Sequence, residues 1–339
     1  MNLNSYLSQL RGKTVLVTGG TGFTGSVLLK KLVEIGASVR AIARASSDCS
    51  AFDGLPIQWF RANVYEQDAI AKATEQVEYV FHVAAAFRQA KIEDQEYHRV
   101  HVESTKHLAE ACAKNSRFQR FVHVSTMGVH GHIENPPGDE SSPFAPGDIY
   151  QRTKLEAEHW LRDFSAARGL PFAIIRPTAI YGPGDRRLLK VFKMVRWPLF
   201  PILGQGKCLY HLVHVDDLTD AIALAAVHPS AAGEAFLVGD SQAIPLATMA
   251  EIIADELNTP LRVVRIPVGP FFVAADVCEL VCRPLGVEPP LYRRRVAFYT
   301  KDRSFSVEKI KQRLDFTPRW STDAGLRQTA RWYVEQGWL

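Results

Sequence analysis

The sequence predicts an α/β protein, a doubly wound parallel sheet carrying a smaller C-terminal lobe. Two observations carry that prediction. Short β-branched apolar runs alternate with helix-patterned stretches through the first half of the chain, as parallel strands joined by crossover helices require. Four glycines then fall within the seven positions "GGTGFTG", directly behind the first of those runs.

In chain order, "KTVLVT" is the first strand, ending at Thr18, and a helix opens near Gly22 and runs to Ile35. "SVRAIA", "IQWFRA" and "VEYVFHVA" supply the next three strands, a helix lies around 98–115, and "FQRFVHVS" is the fifth strand. A long helix in "GDIYQRTKLEAEHWLRDFSAARG" leads to a sixth strand, "PFAIIRP". These strands are nearly continuous apolar runs, so both faces of the sheet should be covered. Beyond residue 177 prolines and glycines become frequent and the elements shorten. "LYHLVHVDDLTDAIALAAV" and "GEAFLVGD" nevertheless read as a helix and strand that return to the main sheet. The expected division is 1–177 with 209–240 as the dinucleotide-binding domain, and 178–208 with 241–339 as the substrate lobe.

A net charge of +4 against 40 basic and 36 acidic residues lacks the dense basic field of a nucleic-acid binder. The expected partner is a small molecule. The N-terminus "MNLNSYLSQLRGKTV" has no signal-peptide order, and the longest greasy stretch, "VGPFFVAADVCELVCRPL", is broken by Asp276 and Glu279. This predicts a cytoplasmic protein without an integral membrane segment, leaving room for peripheral membrane contact. The five cysteines are scattered with no C-x-x-C pair, which fits neither a disulfide framework nor a zinc site. The histidines at 98, 101, 130, 132, 211 and 214 have no metal spacing, and His82 reads as a satisfied near-core residue. No metal is expected.

Gly19, Gly22 and Gly25 stand at G-x-x-G-x-x-G spacing between strand and helix. The first allows a tight turn, the second a close backbone approach to a pyrophosphate, and the third close helix-to-strand packing. The helix N-terminus then meets the anion, and Thr21, Phe23 and Thr24 join the glycines as cofactor-binding candidates. Where NAD sites carry an acidic residue for the ribose hydroxyls, the second strand ends in Ala43-Arg44. No carboxylate there would repel a 2′-phosphate, and Arg44 can pair with one. NADP is therefore preferred over NAD.

Tyr150 and Lys154 project from one helix face, one turn apart. An ammonium beside a phenol favours the phenolate, as an acid/base for an alcohol needs. Ser125 and Thr126 close the fifth strand on the edge where the glycine loop lies, and a hydroxyl there could hold a substrate oxygen.

With these elements in this order, the chain resembles the extended short-chain dehydrogenase/reductase family. "TGGTGFTG", "VFHVAA", "VSTMGVHG", "YQRTK", "RPTAIYGPG" and "HVDDLTDAI" are similar to successive family segments. The C-terminal sequence from "PPLYRRR" onward is similar to the 3β-hydroxysteroid dehydrogenase and dihydroflavonol reductase branch. The resemblance implies a Rossmann domain with a substrate lobe, Tyr150 as acid/base, and Lys154 as its modulator and a contact to the nicotinamide ribose. It places the family hydroxyl at Thr126, with Ser125 second, and implies a homodimer through two helices per subunit. It also implies cofactor contacts at Asn63, Val64, Ala84, Ala85 and Pro177, and substrate contacts at Thr126, Tyr150, Thr178, Ala179 and Tyr181. Asn63 stands where an aspartate usually meets the adenine. Met127-Gly128 replaces the Asp-Glu of dehydratases, which disfavours sugar dehydration. Ala179 replaces the asparagine of nucleotide-sugar enzymes.

In "DRRLLKVFKMVRWPLFPIL", Leu188, Leu189, Phe192, Val195 and Leu199 fall near one helical face, with Arg187, Lys190, Lys193 and Arg196 elsewhere. Such a helix packs on its own lobe, lines an apolar pocket or sits on a membrane. "IPVGPFFVAADVCELVC" adds a second greasy helix, and together they favour a hydrophobic substrate. Arg293 to Arg295 could meet an acidic group or face water. The expected function is an NAD(P)-dependent oxidoreductase interconverting a secondary alcohol and a ketone on a steroid-like, flavonoid-like or other lipophilic compound. The rivals are a nucleotide-sugar 4-epimerase with tightly bound NAD and a non-enzymatic NADP sensor.

Overall fold

The computed structural model describes residues 2–339 apart from 87–92, 283, 285–286, 288, 294–295 and 297–301. Arg294 and Arg295 thus lie outside the described residues. A short helix α1 (Leu3–Leu7) precedes β1 (Thr14–Thr18), α2 (Phe23–Ile35), β2 (Ser38–Ala43), β3 (Ile57–Arg61), α3 (Gln67–Thr74) and β4 (Tyr79–His82). Then come α4 (Asp94–His98), a π-helical turn Arg99–Glu103, α5 (Ser104–Ala113), β5 (Arg120–Val124), α6 (Ile149–Arg168) and β6 (Phe172–Pro177). The second half holds β7 (Ala179–Tyr181), α7 (Leu189–Val195), β8 (Phe200–Leu203), β9 (Leu209–Tyr210), β10 (Leu212–His214), α8 (Val215–Val227) and β11 (Ala235–Val238). It closes with β12 (Ile244–Pro245), α9 (Leu246–Glu256), β13 (Val263–Ile266), α10 (Gly269–Cys282) and the helices Glu308–Leu314 and Thr322–Glu335.

Seven strands form one sheet in the order β11-β6-β5-β4-β1-β2-β3, every neighbouring pair parallel. All carboxyl ends therefore share one edge, where doubly wound sheets bind their ligands. Alternation within β1 shows how the sheet is sandwiched. Val15 and Val17 join a core with Leu28 and Leu32 of α2 and Leu218 and Ile222 of α8. Leu16 joins the opposite core, with Ile70 of α3, Leu108 of α5 and Leu161 of α6. The strand of "GEAFLVGD", β11, pairs with β6 at the sheet's end.

A separate apolar cluster gathers Tyr181, Phe192, Val195, Phe200, Ile202, Met249, Ile253, Leu326 and Tyr333. The amphipathic stretch 186–203 is helical only over Leu189–Val195. Trp197 precedes Pro198, and a residue before proline is steered out of the helical region; the chain then extends into β8. Phe192 and Val195 are buried in the lobe, so this helix packs on its own lobe. Leu199, expected on the apolar face, is 53% exposed because it lies beyond the helix end. No helix among the described residues is long and apolar enough to cross a membrane.

Candidate active site

Thr18 closes β1 and the chain turns at Gly19, whose φ of +72° suits glycine. A Cβ on Gly19 would lie 2.7 Å from the Ala84 backbone, and one on Gly25 would collide with the Gly19 carbonyl. The loop is thus pressed against both the end of β4 and its own helix. Gly22 caps α2 in extended conformation without a side-chain bond, leaving the first helical amides available to an anion. Lys31, one of the later residues of α2, bonds the Asp216 carbonyl at 2.9 Å, Thr219 Oγ1 at 2.8 Å and the Asp220 carboxylate, tying the helix to α8.

Beneath the loop runs an oriented hydrogen-bond chain. The Ala84 N–H donates to Thr18 Oγ1 at 3.3 Å, and Thr18 Oγ1 lies 2.7 Å from His82 Nδ1. His82 Nε2 lies 3.1 Å from Ser104 Oγ, which donates to the Val100 carbonyl at 2.6 Å. Because Ser104 spends its proton on a carbonyl, Nε2 is the protonated ring nitrogen and Thr18 donates to Nδ1. His82 is a fully satisfied core histidine.

Arg44 stands exposed past the end of β2. Arg61, which sequence reasoning passed over, shapes the loop beside it: its Nη2 donates to the Ser47 and Ala45 carbonyls at 2.8 and 3.2 Å, and its Nη1 lies 2.7 Å from Cys49 Sγ. Asn63 follows β3, with Glu66 Oε1 accepting from its side-chain amide at 2.7 Å and from its backbone N–H at 2.8 Å. That engages the NH2 group and leaves the amide oxygen as the acceptor. Val64 is half-buried beside it, Ala84 is buried and Ala85 exposed past β4, and Pro177 is buried at the end of β6.

Asp148 caps α6, accepting from the Gln151 N–H at 2.8 Å, which starts the helix at Ile149, one residue before Tyr150. Lys154, fully buried, donates to the Val124 carbonyl at 2.9 Å and the Ala84 carbonyl at 3.3 Å. It therefore bridges the carboxyl ends of β4 and β5. Burial pushes its ammonium down to about 7, against a smaller opposing pull from Glu158. A desolvated cation of this kind gains from an anion beside it, such as a Tyr150 phenolate. Glu158 itself is held by Arg176 in a buried pair, Nη2 to Oε2 at 2.6 Å.

The two hydroxyls at the end of β5 differ. Thr126 Oγ1 accepts from the Gly128 N–H at 3.1 Å, capping a short turn. Ser125 Oγ is buried with no hydrogen-bond partner among the described residues, and so is Thr178 Oγ1 beyond β6. An orphaned buried hydroxyl is costly unless something binds it. Ala179 is exposed, while Tyr181 lies 1% exposed in the lobe core, its ring edge-on to His214 at 5.4 Å and its hydroxyl against Gly325.

His101, expected to be a packing or surface group, lies inside this site. Its Nε2 accepts from the Ala86 N–H at 3.0 Å, so the proton sits on Nδ1, 2.7 Å from Thr153 Oγ1. Its ring meets that of Tyr150 at 5.2 Å. Burial drives it down to about 2, assisted by Lys154 and His82, so it stays neutral. The π-turn Arg99–Glu103 that sets its direction has no mark in helical periodicity.

A glycine cradle at a strand-to-helix turn and a Tyr-Lys pair on the same sheet edge define a nicotinamide-dinucleotide enzyme of the doubly wound class, and the residues present fit that cofactor. More particularly, the chain belongs to the NAD dependent epimerase/dehydratase family, whose model matches residues 15–239, and it is an NAD(P)-dependent enzyme of the extended short-chain dehydrogenase/reductase type. It is 38% identical over 179 residues to sterol demethylase protein B of Methylococcus capsulatus, covering 51% of this chain and 53% of that protein. Over 340 residues it is 28% identical to a 3 beta-hydroxysteroid dehydrogenase/Delta 5→4-isomerase of Mycobacterium tuberculosis, covering 94% and 90%. The solved structure of epimerase Mth375 from Methanothermobacter thermautotrophicus superposes with a TM-score of 0.81 at 25% identity, covering 99% and 96%.

Proposed function

We propose that this enzyme interconverts a secondary alcohol and a ketone on a lipophilic substrate, with NADP preferred over NAD. The observation that carries the reading is Lys154, buried across the ends of β4 and β5 one helical turn from Tyr150, and bonded to the Val124 carbonyl just before Ser125, whose buried hydroxyl has no partner among the described residues. In the oxidative direction Tyr150, as phenolate, takes the proton from the substrate hydroxyl while Ser125 or Thr126 holds that oxygen. In the reductive direction it returns the proton. Lys154 steadies the charge on the phenol. The nicotinamide, when bound, accepts or supplies the hydride. Arg44, with no carboxylate beside it in sequence, supports the choice of NADP.

In this reading residues 1–177 and 209–240 bind cofactor through the glycine loop, Asn63, Val64, Ala84, Ala85 and Pro177. Residues 178–208 and 241–339 bind substrate, with Thr178 and Ala179 at the junction; Tyr181, expected as a substrate contact, is closed off in the lobe core and shapes the lobe instead. A lipophilic substrate is favoured by the names of the sterol and steroid relatives. It is favoured too by α10, which exposes Val273, Val277, Leu280 and Val281 along one face. That face also suits peripheral membrane contact. Cysteines free of disulfides accord with a cytoplasmic location, and the family resemblance supports a homodimer.

The second reading, a nucleotide-sugar 4-epimerase, is favoured by the likeness to epimerase Mth375. Against it stands Ala179, whose methyl offers no hydrogen bond to a substrate phosphate. Identifying the nucleotide released on denaturing the purified protein separates the two. A freely exchanging NADP supports the reductase, whereas stoichiometric, tightly held NAD supports the epimerase.

A further inference from the structure

A pyrophosphate seated on the glycine loop would be doubly negative and would meet backbone amides, yet no lysine or arginine occurs from Gly19 through Leu29. A cation from elsewhere in the chain stands beside the Phe23 ring at the start of α2. Past β7 the turn Gly182-Pro183-Gly184 leads to Asp185 and Arg187, and this turn lies on the glycine loop. A Cβ on Gly184 would sit 3.8 Å from the ring of Phe23, the first residue of α2. The Arg187 guanidinium carbon stands 5.7 Å from the centroid of that same ring.

Arg187 is held rather than loose. Its Nε donates to Asp185 Oδ1 at 2.9 Å and its Nη2 to the Ile180 carbonyl at 3.0 Å. Asp185 is buried, its carboxylate accepting also from the Arg187 and Leu188 N–H groups at 3.1 and 2.9 Å. Its carbonyl accepts from the Tyr333 hydroxyl, deep in the lobe core. The side chain is still 41% exposed. The neighbouring Arg186 is turned away, stacked on Trp338 at 4.9 Å. A guanidinium presents donors in a fork and can serve a carboxylate and a phosphate together. The Asp185 charge, shared among two amides and Arg187 itself, does not cancel that capacity.

We propose that Arg187 is a ligand of the cofactor's pyrophosphate, delivered by the loop after β7 across the N-terminus of α2. It rests on the glycine loop being the seat of the pyrophosphate. Dinucleotide binding would then engage the turn anchored by Tyr333 as well as the sheet domain.

The test is titration of wild type, Arg187→Met and Arg187→Lys with NADPH, NADH and ADP. Methionine keeps an apolar cover on Phe23 without the charge. The expected result is a rise in Kd of about tenfold, the size of one charge-assisted hydrogen bond, for all three nucleotides in Arg187→Met. Partial recovery is expected in Arg187→Lys, and both variants should still melt cooperatively without nucleotide, at a somewhat lower temperature because the buried Asp185 loses part of its pairing. Equal affinity in wild type and Arg187→Met overturns the proposal. A loss confined to NADPH also overturns it, by putting Arg187 at the 2′-phosphate. A wild type that binds neither dinucleotide would instead remove the loop assignment and the functional reading with it.

Discussion

The ring of His101 meets the ring of Tyr150 edge-on, centroids 5.2 Å apart and planes at 87°. Through His101 the proposed acid/base is braced against the Ala86 N–H past β4 and the Thr153 hydroxyl on its own helix. Neutral and with a defined tautomer, His101 positions Tyr150 without exchanging protons. His101→Leu should leave NADPH affinity within about twofold of wild type and lower kcat by at least about tenfold, since a small misplacement of a reacting group is costly. Steady-state rates together with cofactor titration read the split. A fall in cofactor affinity with unchanged kcat would give His101 a different role.

The reach of sequence reasoning can be seen in the same place. Tyr150 and Lys154 were legible because a regular helix puts residues four apart on one face, and the glycine loop because its spacing sits between a strand and a helix. His101 was not legible, since the π-turn Arg99–Glu103 breaks the helical period that would have predicted its direction. Arg61 and Arg187 look like surface arginines in sequence; their partners lie on a neighbouring loop or across a turn. The amphipathic segment 186–203 is helical for only part of its length because Pro198 ends a run whose apolar spacing alone would continue the helix.

Arg44→Ala tests the cofactor preference. It should raise the Kd for NADPH by about tenfold and leave that for NADH nearly unchanged, because only the 2′-phosphate faces the lost charge. Fluorescence titration of the reduced nicotinamide measures both. Tighter NADH than NADPH in the wild type would contradict the preference.

Glu66→Ala tests adenine recognition. Without the carboxylate that holds the Asn63 amide, the side chain turns freely. NADH and NADPH should then weaken together by about threefold to tenfold, the range of one neutral hydrogen bond. Isothermal titration with each dinucleotide provides the measurement.

His123 lies buried in β5 with neither ring nitrogen partnered among the described residues, and burial holds it well below its ordinary value. The folded state keeps it neutral, whereas the unfolded chain protonates it below about pH 6.5. Its penalty is therefore absent above that pH and grows as the pH falls. His123→Leu should recover about 2 kcal/mol of the stability lost between pH 7.5 and pH 5. Urea unfolding at the two pH values measures this, and an identical loss in wild type and variant would contradict it.

The most direct measurement is nicotinamide absorbance, at about 340 nm, when NADPH meets a panel of lipophilic ketones with wild type and with Tyr150→Phe. The account predicts net NADPH consumption by the wild type, and a variant that binds NADPH equally well but loses turnover by about a thousandfold or more. Unchanged turnover in Tyr150→Phe would contradict the account, as would a wild type that epimerises a nucleotide sugar with no net absorbance change.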